Sequence, residues 1–205
     1  MDINSCLMLA VNLDCPISLK VMFDSDDLKD TGVEVDSHIT LLYAQGRELP
    51  RKDLIQDIRT ILGESSWWSL TEKIEESNLI PVLDVFELGC FENDSDYLIL
   101  KLKPTSWLYN PLEKINRGLR QKYNVSSEFD NYTPHVSLAE LNPGTAKKYL
   151  EAPELKKFLE DTLVGLEDIM ISYGPSNEPI DRKQYFLTSW HSVDRFFRIQ
   201  RLRNE

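Results

Sequence analysis

One short strand signal is written twice in this chain. Ser37-His38-Ile39-Thr40-Leu41 and Pro134-His135-Val136-Ser137-Leu138 each run histidine, β-branched residue, hydroxyl residue, leucine. β-branched side chains favour a pleated, half-buried backbone. Successive side chains on a strand alternate faces, so His38 and Thr40 share one face while Ile39 and Leu41 share the other. The same holds for His135 and Ser137 against Val136 and Leu138. Each segment therefore offers an imidazole and a hydroxyl roughly 6–7 Å apart along the strand, anchored by an apolar opposite face. Should the two strands lie close in one sheet, two imidazoles and two hydroxyls surround one small anionic group.

The surroundings of the motifs repeat as well. After His38 the order reads helix, strand ending at Gly89, polar turn, strand beginning at Tyr97. After His135 it reads helix, strand ending at Gly174, polar turn, strand beginning at Tyr185. A duplicated unit of this kind folds into two similar lobes about a pseudo-two-fold axis, which turns equivalent residues toward a common cleft. The expectation is a single domain over residues 1–205, with lobes led by the motifs at 38–40 and 135–137.

Other elements follow from local pattern. Residues 7–13 form an apolar run that predicts a buried strand. The acidic stretch at 24–36 reads as a solvated loop, with a gate over the site as the alternative. Pro50 opens a helix whose Leu54, Ile55, Ile58, Ile61 and Leu62 recur at helical spacing before Gly63 ends it. The stretch at 67–78 is ambiguous. Residues 81–91 and 97–103 predict two strands joined by a polar turn at 92–96. A helix running to Tyr123 places Leu112, Ile115 and Leu119 on one face, and 145–163 reads as one further helix. Strands are expected at 166–173 and 184–190, followed by the only concentrated basic run, 196–203.

Composition limits the partners. The 205 residues carry a net charge of −11, so a surface of this sign opposes long duplex nucleic acid, whose phosphates call for clustered Lys and Arg. A small anion in a local pocket stays compatible. The three cysteines, Cys6, Cys15 and Cys90, show no Cys-x-x-Cys spacing, which favours a reducing compartment over a disulfide framework. With no apolar stretch long enough for a signal or a membrane span, a cytoplasmic location and no membrane partner are expected. Oligomeric state is not legible.

Chemically, an imidazole titrates near pH ~6.5, so of two facing histidines one can serve as base and the other as acid. Phosphodiester cleavage needs both, one to activate the attacking oxygen and one to protonate the leaving oxygen. Thr40 and Ser137 can donate hydrogen bonds to the non-bridging phosphate oxygens. His38 and His135 are the expected catalytic pair, weighed against two packed structural histidines. No Cys cluster, His-x-x-x-His or Gly-x-Ser-x-Gly accompanies them, so neither a metal nor another cofactor is expected. His191, in Trp190-His191-Ser192, lacks the β-branched follower and reads as structural or exposed. Tyr43 and Tyr132 are the candidate base-stacking rings nearest the motifs, ahead of Trp67, Trp68, Trp107 and Tyr109, with core packing as the alternative for each. Lys101 and Lys103 alternate on one strand face and can meet phosphate, although exposed strand lysines are common.

The pairing of His38-Ile39-Thr40 with Thr133-Pro134-His135-Val136-Ser137-Leu138-Ala139 resembles the two-histidine (2H) phosphoesterase superfamily. Its members include RNA 2′,3′-cyclic phosphodiesterases, 2′,5′-ligase-like proteins and viral enzymes that destroy nucleotide immune signals. The resemblance spans residues 7–190, with Ser137 in place of the commoner threonine. It implies a bilobal α+β fold with antiparallel sheets flanking a central cleft, helices outside, and metal-independent phosphodiester chemistry. The acidic charge moves the expected substrate from long RNA toward a small cyclic or 2′,5′-linked nucleotide or oligonucleotide. RNA-end 2′,3′-cyclic phosphodiesterase is the alternative enzyme, and a nucleotide-binding module without catalysis is the competing class.

Overall fold

A computed structural model of the chain describes residues 3–14, 19–33, 37–76, 80–126, 131–175 and 183–186. Its strands are β1 (Ile3–Leu13), β2 (Leu28–Val33), β3 (His38–Ala44), β4 (Ile80–Pro81), β5 (Phe86–Glu92), β6 (Asp96–Leu102), β7 (His135–Leu141), β8 (Leu163–Pro175) and β9 (Lys183–Phe186). The helices are α1 (Arg51–Leu62), α2 (Glu64–Glu76), α3 (Val82–Val85), α4 (Tyr109–Tyr123), α5 (Ala146–Glu151) and α6 (Pro153–Asp161). The architecture is α+β, built on a curled antiparallel sheet.

Among the described residues all nine strands belong to one sheet rather than to separate sheets beside a cleft. The order is β4-β8-β1-β3-β7-β6-β5, with β9 on β8 and β2 on β7. The two motif strands are neighbours, joined through the single register pair Ile39–Val136. Around that seam the order is symmetric: β1 then β8 stand on the β3 side, β6 then β5 on the β7 side. The strand matching β6 across the seam is therefore β1, whereas β9 lies outermost on β8.

The two motif strands also share a local irregularity. In β3 the register against β1 slips at Leu41, between the pairs Met8–Thr40 and Leu7–Leu42. In β7 the register against β6 slips at Leu138, between Ile99–Ser137 and Leu98–Ala139. Each bulge falls three positions after its histidine, and each puts two consecutive buried residues in the strand. A bulge bends its strand and increases local twist, which explains why β3 and β7 part after one pair.

The core lies on the face opposite the motif hydroxyls. Ile39, Leu41, Val136 and Leu138 are fully buried there with Leu54 and Ile58 of α1 and Leu112, Ile115 and Leu119 of α4. The other face carries a small separate cluster, Cys6, Met8, Ala10 and Met170, beside the β3 motif.

Three expectations change. The acidic stretch is not a free loop: a 3₁₀ turn at Ser25–Asp27 leads into β2, which pairs with β7 at Leu28–Leu141 and Val33–Ala139. Lys148 of α5 binds the carboxylates of Asp24 and Asp27, and the Tyr149 hydroxyl donates to Asp27 at 2.7 Å. Those partners, Lys148 first, hold the Asp27 carboxyl below its usual range. The strand expected from Pro81 opens instead with the short helix α3. The single helix expected at 145–163 is divided at Ala152, because Pro153 has no N–H to continue it and starts α6 at its favoured first-turn position. The ambiguous stretch after Gly63 is the helix α2, and Gly63 itself takes φ 84° to end α1. Among the described residues no helix is long and apolar enough to cross a membrane. His191 and the basic run at 196–203 lie outside the described residues.

Ile39 is fully buried at the seam, whereas Val21 is 79% exposed. Ile39→Ala should destabilise the protein by about 2–5 kcal/mol, and Val21→Ala should stay within about 0.5 kcal/mol. Urea unfolding of both variants checks this, and equal midpoints would mean that the seam does not carry the packing assigned to it.

Candidate functional site

The pair Ile39–Val136 sets the geometry of both motifs. In an antiparallel ladder that continues this register, His38 lies opposite Ser137 and Thr40 opposite His135, all on the face away from the core. The two motifs therefore present their imidazoles and hydroxyls on one face of the sheet, on either side of this pair. All four residues are half-buried. Among the described residues neither the Thr40 nor the Ser137 hydroxyl is committed to a hydrogen bond, which leaves both available to a ligand.

β3 leaves its neighbour early, and side chains replace the missing ladder. Tyr132 donates its hydroxyl hydrogen to the Thr40 carbonyl at 2.8 Å, and Asn116 Nδ2 donates to the Leu41 carbonyl at 2.7 Å. Buried carbonyls need such partners, and these two pin the backbone that carries Thr40. Burial pushes the Tyr132 phenol far up, so it stays a donor.

His135 is held from several sides. Its Nδ1 lies 2.7 Å from the Thr133 carbonyl oxygen. A carbonyl only accepts, so Nδ1 carries the hydrogen and the neutral ring presents the Nε2 lone pair. Phe91 meets the ring edge-on, with centroids 4.8 Å apart. Burial lowers the His135 pKa below its ordinary value; the charges of His38 and Lys101 push the same way, against the Thr133 hydrogen bond. A depressed pKa leaves the imidazole neutral near pH 7 and able to accept a proton.

A cavity of about 970 Å³ opens beside this group. Thr40 and His135 line it, together with Tyr43 and Tyr132, whereas His38 and Ser137 do not. Tyr43 is 47% exposed and its hydroxyl accepts from Asn4, which leaves its ring accessible. Trp67 packs in the core, and Trp68 lies under the Arg59 guanidinium 5.8 Å away, both outside the cavity lining.

Sequence reasoning passed over several lining residues. Among the described residues Arg47 and Arg120 face the cavity against one carboxylate, Glu92, so this part of the lining has a charge opposite to that of the molecule as a whole. Each arginine spends a donor on a backbone carbonyl, Tyr123 for Arg47 and Val125 for Arg120, and has N–H groups left for a ligand. The signal for Arg120 was present in the sequence: Asn116 and Arg120 of α4 and Asn124, just past its end, recur every fourth residue as a polar stripe. Cys90 also lines the cavity, but burial and then the charges of Asp96 and Glu92 raise its thiol to about 11, so it is no nucleophile near neutrality. Among the described residues no group of three His, Cys, Asp or Glu side chains is placed to hold a metal ion.

The arrangement can bind a phosphoryl group through hydroxyls and imidazoles and exchange protons with it. The chain matches no protein-family model and no curated protein.

The depressed His135 pKa has a consequence for stability. Unfolded, the imidazole titrates near 6.5; folded, it titrates lower, so between the two values the unfolded state binds more protons. Stability from this residue is complete above about pH 6.5 and is lost as pH falls below it. Urea midpoints measured from pH 7.5 to 5 should fall more for the wild type than for His135→Gln. Parallel curves would put the ring in ordinary solvent.

Proposed function

We propose that this chain is a metal-independent phosphodiesterase of the two-histidine type, acting on a small cyclic or 2′,5′-linked nucleotide or oligonucleotide. The observation that carries the reading is the Ile39–Val136 register, which sets His38-x-Thr40 crosswise to His135-x-Ser137 on one face of the sheet. The matching bulges at Leu41 and Leu138 support a duplicated, two-lobed fold, in which β1 stands where the sequence repeat would put β9. The cavity supports a substrate larger than a mononucleotide, since about 970 Å³ stands at the upper end of small-molecule sites. Its arginine pair supports an anion despite the acidic surface.

In this mechanism a ribose hydroxyl next to the scissile phosphate is the nucleophile. His135 Nε2 takes its proton, the hydroxyl oxygen bonds to phosphorus, and the bond from phosphorus to the leaving oxygen breaks. His38, protonated, gives that oxygen its proton, and the product is a 2′,3′-cyclic phosphate with a free hydroxyl on the other fragment. Thr40 and Ser137 donate to the non-bridging oxygens, where charge develops. The charge of His38 adds to burial in lowering the His135 pKa, which suits His135 to the role of base.

His38→Ala and His135→Ala should each lower turnover by about 10²–10⁴ with the fold intact, as loss of one acid–base group does. Either variant at near-normal activity would sink the shared site. The assay is a screen of cyclic dinucleotides, cyclic trinucleotides, 2′,5′-oligoadenylate and RNA ending in a 2′,3′-cyclic phosphate. The first three should exceed the RNA end by at least about tenfold in kcat/KM, about 1.4 kcal/mol of transition-state binding. The reverse order favours RNA-end processing, and tight binding with no product favours a binding module.

Product should still form in excess EDTA, since the site offers two imidazoles and two hydroxyls, a poor donor set for a catalytic metal. Activity abolished by EDTA and restored by zinc or manganese would overturn the acid–base assignment.

A further inference from the structure

Beside His135 stands a cation that the two-histidine scheme does not use. Lys101 of β6 is the direct register partner of His135 across the β6–β7 ladder, so both side chains leave the same face of the sheet. The side chain is half-buried and does not turn to Glu87, the residue opposite it on β5. It runs diagonally over Gly89 instead, where a glycine leaves room for it. A Cβ at position 89 would stand 2.8 Å from Lys101 Cε, 3.1 Å from Cδ and 3.3 Å from Nζ. This path brings the ammonium to 5.9 Å from the centre of the Phe91 ring, the same ring that meets His135 edge-on. Among the described residues no carboxylate lies within ion-pair distance of Lys101.

Lys103, two residues on, is a different case. Its ammonium donates to the Leu83 carbonyl and serves the junction of α3 with the sheet. Strand alternation alone cannot separate these two lysines, but their partners do.

A half-buried cation without a carboxylate is costly in a chain of net charge −11, where acidic side chains are plentiful. Placed next to an imidazole it repels the imidazolium, which contributes to the lowered His135 pKa. A phosphoryl group at the two motifs would relieve both costs together. We propose that Lys101, seated in the groove left by Gly89, is a phosphate-binding residue of this site, contacting a non-bridging oxygen of the group that Thr40 and Ser137 also hold. The proposal rests on the two-histidine reading and adds a full positive charge to a donor set that otherwise consists of hydroxyls and imidazoles. Such a charge offsets the negative charge that builds on phosphorus-bound oxygens as the bond to the nucleophile forms.

The test uses inorganic phosphate as the probe and the ring resonances of His135 as the readout, with the assignment made from His135→Gln. Lys101→Met should weaken phosphate binding at least about tenfold, and Lys101→Arg should recover most of it. Gly89→Ala keeps the charge but displaces the flexible end of the lysine side chain, so it should weaken phosphate binding too. Lys147→Met, which removes an 81%-exposed lysine, controls for net charge and should leave binding unchanged. In the turnover assay Lys101→Met should also move the acid limb of the pH profile upward, because His135 loses a repelling charge, and Lys101→Arg should move it back. Should Lys101→Met and Gly89→Ala bind phosphate like the wild type while His135 still responds, the lysine site is wrong and the two-histidine reading stands. If His135 in the wild type does not respond to phosphate at all, both fall.

Discussion

Two β-branched side chains, Ile39 and Val136, carry the arrangement on which the rest depends. They form the one register pair between the motif strands, and both are fully buried in the main core. Because side chains alternate with a period of two, a slip by one residue at this seam would turn a histidine and a hydroxyl into the core. The apolar residues on the other face make that slip expensive, since they would be driven into water in exchange. The register is therefore held by packing beneath the sheet, and the polar face above it is positioned as a result.

A seam of one pair is also what makes room for a cavity. The bulges at Leu41 and Leu138 bend both strands away from each other, and β2 takes over the free edge of β7 beyond Val136. Carbonyls that a longer ladder would have paired are satisfied by Tyr132 and Asn116, whose side chains come from the approach to β7 and from α4. The wall of the cavity and the support of Thr40 are thus the same residues.

Electrostatics divides the molecule in the same way. Acidic side chains dominate the chain, and part of that acidity is tied down, as where Lys148 binds Asp24 and Asp27. Among the described residues that line the cavity the balance reverses, with Arg47 and Arg120 facing one carboxylate, and Lys101 stands next to His135, itself a lining residue. A local cationic site on an acidic body attracts a small anion while the surrounding surface repels an extended one. This contrast underlies the preference proposed here for a small nucleotide over a long RNA.

Much of the chain could be read one residue at a time. The two motif strands, the apolar β1, the helix closed by Gly63 and the hairpin at 92–96 all rest on short-range pattern, because alternation, helical spacing and turn chemistry act within a few residues. The same reasoning misread the acidic stretch, whose β2 strand exists only through pairing with β7, and overran Pro153, where a helical apolar pattern masked a break. It named His38, Thr40, His135 and Ser137, since their faces follow from the period of a strand. It had no means of knowing that Ile39 meets Val136, that Lys101 stands beside His135, or that Arg47 and Arg120 turn toward the same space. Those facts depend on which distant strands pair and in what register, and that is decided by burying the apolar faces of the whole sheet at once.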